Sequence, residues 1–224
     1  MGDIIIRLED IIHNYGPGMY CLTGGAGSGK STLSSKLYAS DISVYSLDWR
    51  LIGGSNYRKE LLNKKQATSL SSYIDACNQF NWWDWNAIIA DLEELANGNV
   101  LTIMDAYDRD TTFSKNVQVL PSKYILVEGA ILGPVQLLSR YKNIFMMIVP
   151  FKTRLLRLLE KDCCRRDPLE ILSRFLITEY SERKAYSELW EWFKHKILCV
   201  DSNGIILDKE FEPKYGNCSL PFYV

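Results

Sequence analysis

The sequence predicts an α/β fold in three layers: a mostly parallel five-stranded sheet, helices on both of its faces and a basic helical lid. Three observations predict it. The apolar run 19–22 passes directly into Gly24-x-x-x-x-Gly29-Lys30-Ser31, and Thr32-Leu33 then opens a helical pattern. Short apolar runs recur at 42–47, 124–128, 144–149 and 197–200, with helical periodicity between them, the alternation that builds parallel sheets. The stretch 152–167 carries Lys152, Arg154, Arg157, Lys161, Arg165 and Arg166 against only a few acids, and Arg154, Arg157 and Lys161 share one helical face.

Strand, glycine loop and helix in that order is the context of a P-loop, and the expected fold is therefore the P-loop NTPase fold. The glycines let the backbone turn successive N–H groups toward a phosphate, and the helix start adds its free N–H groups and positive dipole end. The predicted phosphate-binding residues are Gly25, Ala26, Gly27, Ser28, Gly29, Lys30, Ser31 and Thr32, with Lys30 reaching the β- and γ-phosphates and Ser31 ligating Mg²⁺. At average residue usage this pattern arises by chance in about one chain in a hundred of this length.

The 224 residues fit one P-loop domain spanning 1–224: an N-terminal helix in 1–18, the lid at 152–167 and an irregular tail at 208–224. Apolar residues make up 47 % and charged residues 24 %, with a net charge of −1, so charge gives no reason to expect nucleic acid or membrane as a partner. No secretory leader precedes the first strand, and no apolar run approaches the ~18 residues of a membrane span. A cytoplasmic protein is expected, with a homo-oligomer left open. Its six cysteines, with no metal-type spacing, read as reduced thiols.

The elements follow in order. Residues 4–15 are expected to form an amphipathic helix closed by Gly16-Pro17-Gly18. After the helix 31–39 comes the strand 42–47 with Asp48 at its carboxyl end, where ligands bind in open α/β sheets; the alternative for Asp48 is a turn or helix cap. A lysine-bearing cover follows at 57–66. Trp82, Trp83 and Trp85 form either a stacking wall for a planar ligand or core packing. Trp85 to Gly98 reads as a helix and 100–104 as a short strand. The acidic run from Asp105 to Asp110 is a substrate clamp or a solvated turn. The strand 124–128 ends on Glu128, a candidate Mg²⁺ contact or a capping carboxylate. Helices are expected at 134–141, 169–185 and 186–194, with a final strand at 197–200 and a small added one at 205–207.

The order of these pieces resembles the uridine kinase and phosphoribulokinase-like branch of P-loop kinases. The resemblance is carried by Gly24–Thr32, by Ser46-Leu47-Asp48, and by Trp83-Asp84-Trp85 with the helix to Gly98 and Ala106-Tyr107-Asp108. Leu126-Val127-Glu128-Gly129 and Arg154-x-x-Arg157-x-x-x-Lys161-Asp162 with Arg165 and Arg166 complete it. Together these span roughly 19–200. The resemblance implies ATP and Mg²⁺ as cofactors and a small-molecule acceptor. Asp48 would be the base toward the acceptor hydroxyl, and Ser31, Asp48 and Glu128 would surround the metal. Lys30, Arg154 and Arg157 would stabilise the transferring phosphoryl group, and Arg165 and Arg166 would contact phosphates. Tyr107, Trp83 and Arg157 would line the acceptor site. The family's nucleoside-binding run is replaced by Asn78-Gln79-Phe80-Asn81, its aromatic after the strand-end aspartate by Trp49, an expected aspartate by Ile148 and a lid arginine by Leu158. The expected activity is γ-phosphoryl transfer from ATP to a hydroxyl of a small metabolite, with a uridine- or cytidine-like nucleoside in first place. The alternatives are a non-nucleoside acceptor of the pantothenate or sugar-acid kind, and a non-catalytic nucleotide-binding module.

Overall fold

A computed structural model describes residues 7–37, 41–52, 60, 69, 82–108 and 114–207, with the backbone alone at 177, 180, 181, 183 and 184. Helix α1 (Leu8–Tyr15) buries Leu8 and Ile12, one turn apart, and stops at Gly16, whose φ of 80° a glycine adopts without strain. The chain then enters β1 (Gly18–Thr23), crosses the glycine loop and continues into α2 (Lys30–Leu37), β2 (Ile42–Ser46) and a 3₁₀ turn (Leu47–Arg50). Helix α3 (Trp85–Ala96) starts on Asp84, whose side chain accepts from the Ala87 N–H. There follow β3 (Leu101–Tyr107), β4 (Ser114–Val119), β5 (Tyr124–Glu128), α4 (Val135–Arg140), β6 (Tyr141–Met147), α5 (Phe151–Asp162), α6 (Pro168–Phe193) and β7 (Ile197–Val200).

The main sheet has five strands in the order β2-β5-β1-β6-β7, and every neighbouring pair is parallel. Strand β5, between β2 and β1, is buried at every position, the signature of a strand covered on both faces. Alternation sorts the side chains into two layers. Cys21, Tyr45, Ile125, Val127, Ile144 and Met146 pack toward α3, the β3–β4 pair and the C-terminal half of α6. Tyr20, Leu22, Leu126, Phe145 and Met147 pack toward α1 and α2. The three layers and the five parallel strands thus stand as the sequence predicts.

Two elements differ from expectation. The strand expected at 100–104 runs to Tyr107 and does not join the main sheet; it pairs antiparallel with β4 in a separate two-stranded sheet. Its first residues alternate buried and exposed, so only one face is apolar, whereas a place in the parallel sheet needs two. A register shift between Ile103 and Ala106 brings Ala106 and Tyr107 back inward, and Asp105 within it has a φ of 55°. The acidic run therefore begins inside a bulged strand; its residues 109 and 110 lie outside the described residues. The helices expected at 169–185 and 186–194 form one helix of 26 residues, opened by Asp167 accepting from the Leu169 N–H and by Pro168 in the first turn. The cover expected at 57–66, Glu60 excepted, residues 78–81 and the tail 208–224 lie outside the described residues. Among the described residues no helix is long and apolar enough to cross a membrane.

One polar network fixes the turn after β2. Asp91 of α3, 6 % exposed, accepts from the Tyr45 hydroxyl and from Nε and Nη2 of Arg50, each at 2.7 Å. Burial, and then the adjacent Asp91 charge, push the Tyr45 phenol far above its ordinary range, so it stays a donor. The fork from Arg50 ties the 3₁₀ turn to α3. Removing one partner of a buried pair leaves the other desolvated and unpaired. Asp91→Ala should therefore cost about 3 kcal/mol in a urea titration, the lower end of the range because Arg50 is partly exposed. An unchanged midpoint and slope would show that the network does not hold the turn.

Candidate functional site

The strand order itself assembles the site. β2, β5 and β1 are adjacent and parallel, so their carboxyl ends lie side by side. In register, Ser46 lies opposite Glu128, and Glu128 lies opposite Leu22, two residues before Gly24 opens the glycine loop. The first turn of α2 then brings Ser31 over the same point. Glu128 is 6 % exposed and accepts from the Ser46 hydroxyl at 2.7 Å and from the Ser31 hydroxyl at 3.3 and 3.4 Å. Burial raises its pKa first, and the neighbouring Asp48 charge raises it further. The hydrogen bonds from Ser46 and Ser31 and the charge of Lys30 work in the opposite direction.

Gly129 explains how the turn carrying Asp48 comes so close. A Cβ on Gly129 would lie 2.5 Å from the Leu47 side chain, so the strand end can meet the turn only without one. Lys30 reaches back over the loop, its Nζ donating to the carbonyls of Gly24 at 2.5 Å and Gly25 at 3.3 Å. The loop thus carries a cation on one side and two carboxylates near its helix end.

These residues fit Mg²⁺ and a nucleotide triphosphate. The hydroxyl of Ser31 and the carboxylates of Glu128 and Asp48 are hard oxygens, and the mutual repulsion of the two acids is what a divalent cation relieves. Among the described residues no group of three or more His, Cys, Asp or Glu side chains is placed to hold a metal. The chain would therefore supply few ligands and the phosphates the remainder, the pattern of nucleotide-bound Mg²⁺.

The basic helix α5 is packed against the glycine loop. Arg154 donates from Nε to the Val149 carbonyl at 3.0 Å, from Nη1 to the Ala26 carbonyl at 3.3 Å, and from both Nη atoms to Glu179 of α6, with Nη2–Oε2 at 2.6 Å. Its fork is engaged by a carboxylate 25 residues away, with Nη1 lying against Gly25 and Ala26 of the loop. Arg157 donates to the Ser28 carbonyl at 3.1 Å. Arg166 is drawn to Asp162, one turn back, at 2.8 Å and lies 3.8 Å from Glu170. Arg165 continues the turn, its N–H bonded to the Asp162 carbonyl. Tyr107 and Trp83 are 8 % and 4 % exposed, and both pack in the core, Trp83 against Trp85 with ring centroids 5.7 Å apart. Apolar contact area decides their place, which corresponds to the core reading of the tryptophans.

The structure therefore brings Gly24–Thr32, Asp48 and Glu128 together and gathers Arg154 and Arg157 against the loop. Sequence reasoning did not single out Ser46 as a site residue. Its place two residues before a strand-end aspartate was the available signal. Nothing in the spacing marks Glu179.

A buried carboxylate with a raised pKa makes a sign-defined contribution. The folded protein binds the Glu128 proton more tightly than the unfolded chain, so stability falls as pH rises through the folded pKa, above the ordinary carboxylate range. Glu128→Gln should remove that dependence and raise the melting temperature at neutral pH without Mg²⁺ or nucleotide by about 2–4 °C, equivalent to roughly 1 kcal/mol. The same variant should lose the stabilisation that Mg-ATP gives the wild type. A lower melting temperature in the ligand-free variant would contradict the charge burial.

No family model matches the chain, and no curated protein matches it. Solved structures do. A candidate fructose transport system kinase from Silicibacter sp. TM1040 superposes with a TM-score of 0.56 at 17 % identity, covering 76 % of this chain and 86 % of that one. A possible uridine kinase from Bacillus stearothermophilus gives 0.49 at 17 % identity, covering 80 % and 95 %. TT1252 from Thermus thermophilus gives 0.47 at 17 % identity, covering 83 % and 88 %. The first of these shares the architecture: this chain and that one have the same layered α/β fold around a mostly parallel sheet.

Proposed function

We propose that the chain is an ATP-dependent kinase that transfers the γ-phosphoryl group to a hydroxyl of a small metabolite, with a uridine- or cytidine-like nucleoside as the favoured acceptor. The observation that carries the reading is the convergence of Ser31, Ser46, Asp48 and Lys30 on the buried Glu128 at the end of the glycine loop. A nucleotide switch needs the loop and the metal ligands. It has no use for an additional carboxylate at the end of the neighbouring strand, where an acceptor would lie.

In this reading Lys30 leaves the Gly24 and Gly25 carbonyls for the β- and γ-phosphates. Ser31 and Glu128 hold the metal side of the nucleotide, Ser46 keeping the Glu128 carboxylate oriented. Mg²⁺ supplies charge neutralisation on the phosphate oxygens. Asp48 accepts the proton of the acceptor hydroxyl as its oxygen bonds to the γ-phosphorus. The bond from that phosphorus to the β–γ bridging oxygen breaks, and its electron pair leaves with ADP. A cytoplasmic setting belongs to the same proposal.

A second acceptor class is favoured by a specific observation. Asn78-Gln79-Phe80-Asn81 replaces the nucleoside-binding run of the uridine kinase-like family, so the phosphate machinery can serve a sugar or sugar acid instead. The Silicibacter protein, described as a candidate fructose transport system kinase, is linked to a sugar by that description.

ADP release with Mg-ATP and a panel of uridine, cytidine, nicotinamide riboside, pantothenate, glycerate and fructose separates these readings. Stimulation by a pyrimidine nucleoside supports the first, and stimulation by a sugar or sugar acid supports the second. ATP binding with no stimulation by any acceptor favours a non-catalytic module. With the active acceptor, Asp48→Asn should keep Mg-ATP binding and lower turnover by about 10²–10⁴-fold, the range for loss of a general base. Unchanged turnover would remove Asp48 from the mechanism. Lys30→Ala should weaken nucleotide binding and turnover together.

A further inference from the structure

We propose that α5 and α6 preset the phosphate loop from behind, and that Glu179 is the positioning residue of this device; the inference rests on the kinase reading only where it invokes nucleotide affinity. A trans peptide holds its N–H on the side opposite its C=O. A carbonyl held on one side of a loop therefore turns the next residue's amide to the other side. Arg154 holds the Ala26 carbonyl and Arg157 holds the Ser28 carbonyl, both toward α5. The amides of Gly27 and Gly29 are thereby directed away from α5, to the side where an anion is received. Two arginines one turn apart on α5 thus act on alternate peptides of the loop, through its carbonyls.

The contact is close enough to require glycine. A Cβ on Gly27, whose φ is 76°, would lie 2.5 Å from the Arg154 carbonyl oxygen, and one on Gly25 would lie 2.3 Å from Arg154 Nη1. The loop's small residues therefore serve its packing on α5 as well as the approach of a phosphate.

A free arginine at this place would follow the phosphates and release the loop. Glu179 prevents that. Its two oxygens take the two Nη groups of Arg154 as a bidentate pair, and the side chains of this pair are 17 % and 11 % exposed. The Val149 carbonyl takes Nε, and the Phe175 ring lies 5.3 Å from the guanidinium carbon. Arg154 is held on four sides, and the fork geometry leaves Nη1 aimed at Ala26. Glu179 lies beside Gly25, where a Cβ would come 3.1 Å from its Oε1, but its bidentate pair is with Arg154, and it acts on the loop carbonyl through Arg154.

The test is a double-mutant cycle with two readouts. Mg-ATP affinity is measured by calorimetry for wild type, Glu179→Ala, Arg154→Ala and the double variant, and the Gly27 and Gly29 amides are followed by NMR without nucleotide. Glu179→Ala should weaken Mg-ATP binding about tenfold and shift or broaden the Gly27 amide more than that of Gly29, which Arg157 still holds. In the Arg154→Ala background, Glu179→Ala should add nothing. Fully additive losses, or an unmoved Gly27 amide, would overturn the proposal. If Glu179→Ala does not fold, Glu179→Gln, which keeps one accepting oxygen and loses the charge, enters the same cycle. The amide readout needs no ligand, so a protein that binds no ATP would fail the kinase reading while still deciding the role of Glu179.

Discussion

A carboxylate kept nearly out of water at the end of β5 is the constraint on which the site depends. Glu128 is costly there: burial and the neighbouring Asp48 both oppose its charge. It is tolerated because parallel pairing places Ser46 in register with it and the first turn of α2 lays Ser31 over it. The sheet therefore defines where the polar groups converge. A one-residue slip of β2 against β5 would turn Ser46 to the other face and leave Glu128 with a weaker set of donors.

Around this point the fold uses two separate polar anchors for the two pieces of backbone that flank the site. The turn bearing Asp48 is tied by Arg50 and Tyr45 to Asp91, and it is pressed against Gly129 by Leu47. The phosphate loop is tied by Arg154 and Arg157 to α5, and through Glu179 to α6. Each anchor pairs a guanidinium with a carboxylate from a distant helix. Neither carboxylate belongs to the metal-facing group. The site can thus carry repelling acids because rigidity is supplied by ion pairs placed outside it.

Much of this was legible in the sequence. The glycine loop announces itself through local chemistry: strand, Gly24 to Ser31 and helix follow one another within a dozen residues. Asp48 and Glu128 were legible because each ends an apolar run, and the carboxyl end of a buried strand has one location in such a fold. The β3–β4 pair was harder to read, since a run of five residues gives no sign of which sheet it joins and β4 carries mostly exposed residues. The arginines of α5 show the limit most clearly. Helical spacing put Arg154 and Arg157 on one face, which is correct, but the direction of that face depended on Glu179, whose approach is a product of how α6 folds back. Trp83 and Tyr107 were ambiguous for a similar reason: an aromatic ring can line a site or fill a core, and only neighbouring volume decides.

The central claim is that the ends of β2, β5 and β1, with the loop between β1 and α2, form a site for a Mg²⁺-bound nucleotide triphosphate. The most direct measurement is calorimetric titration of the wild-type chain with ATP, once with Mg²⁺ and once with the metal chelated. The account predicts one site per chain and an affinity that falls at least tenfold when Mg²⁺ is removed, because Glu128 and Asp48 then face the phosphates without a cation between them. Absence of ATP binding, or equal affinity with and without Mg²⁺, would contradict it.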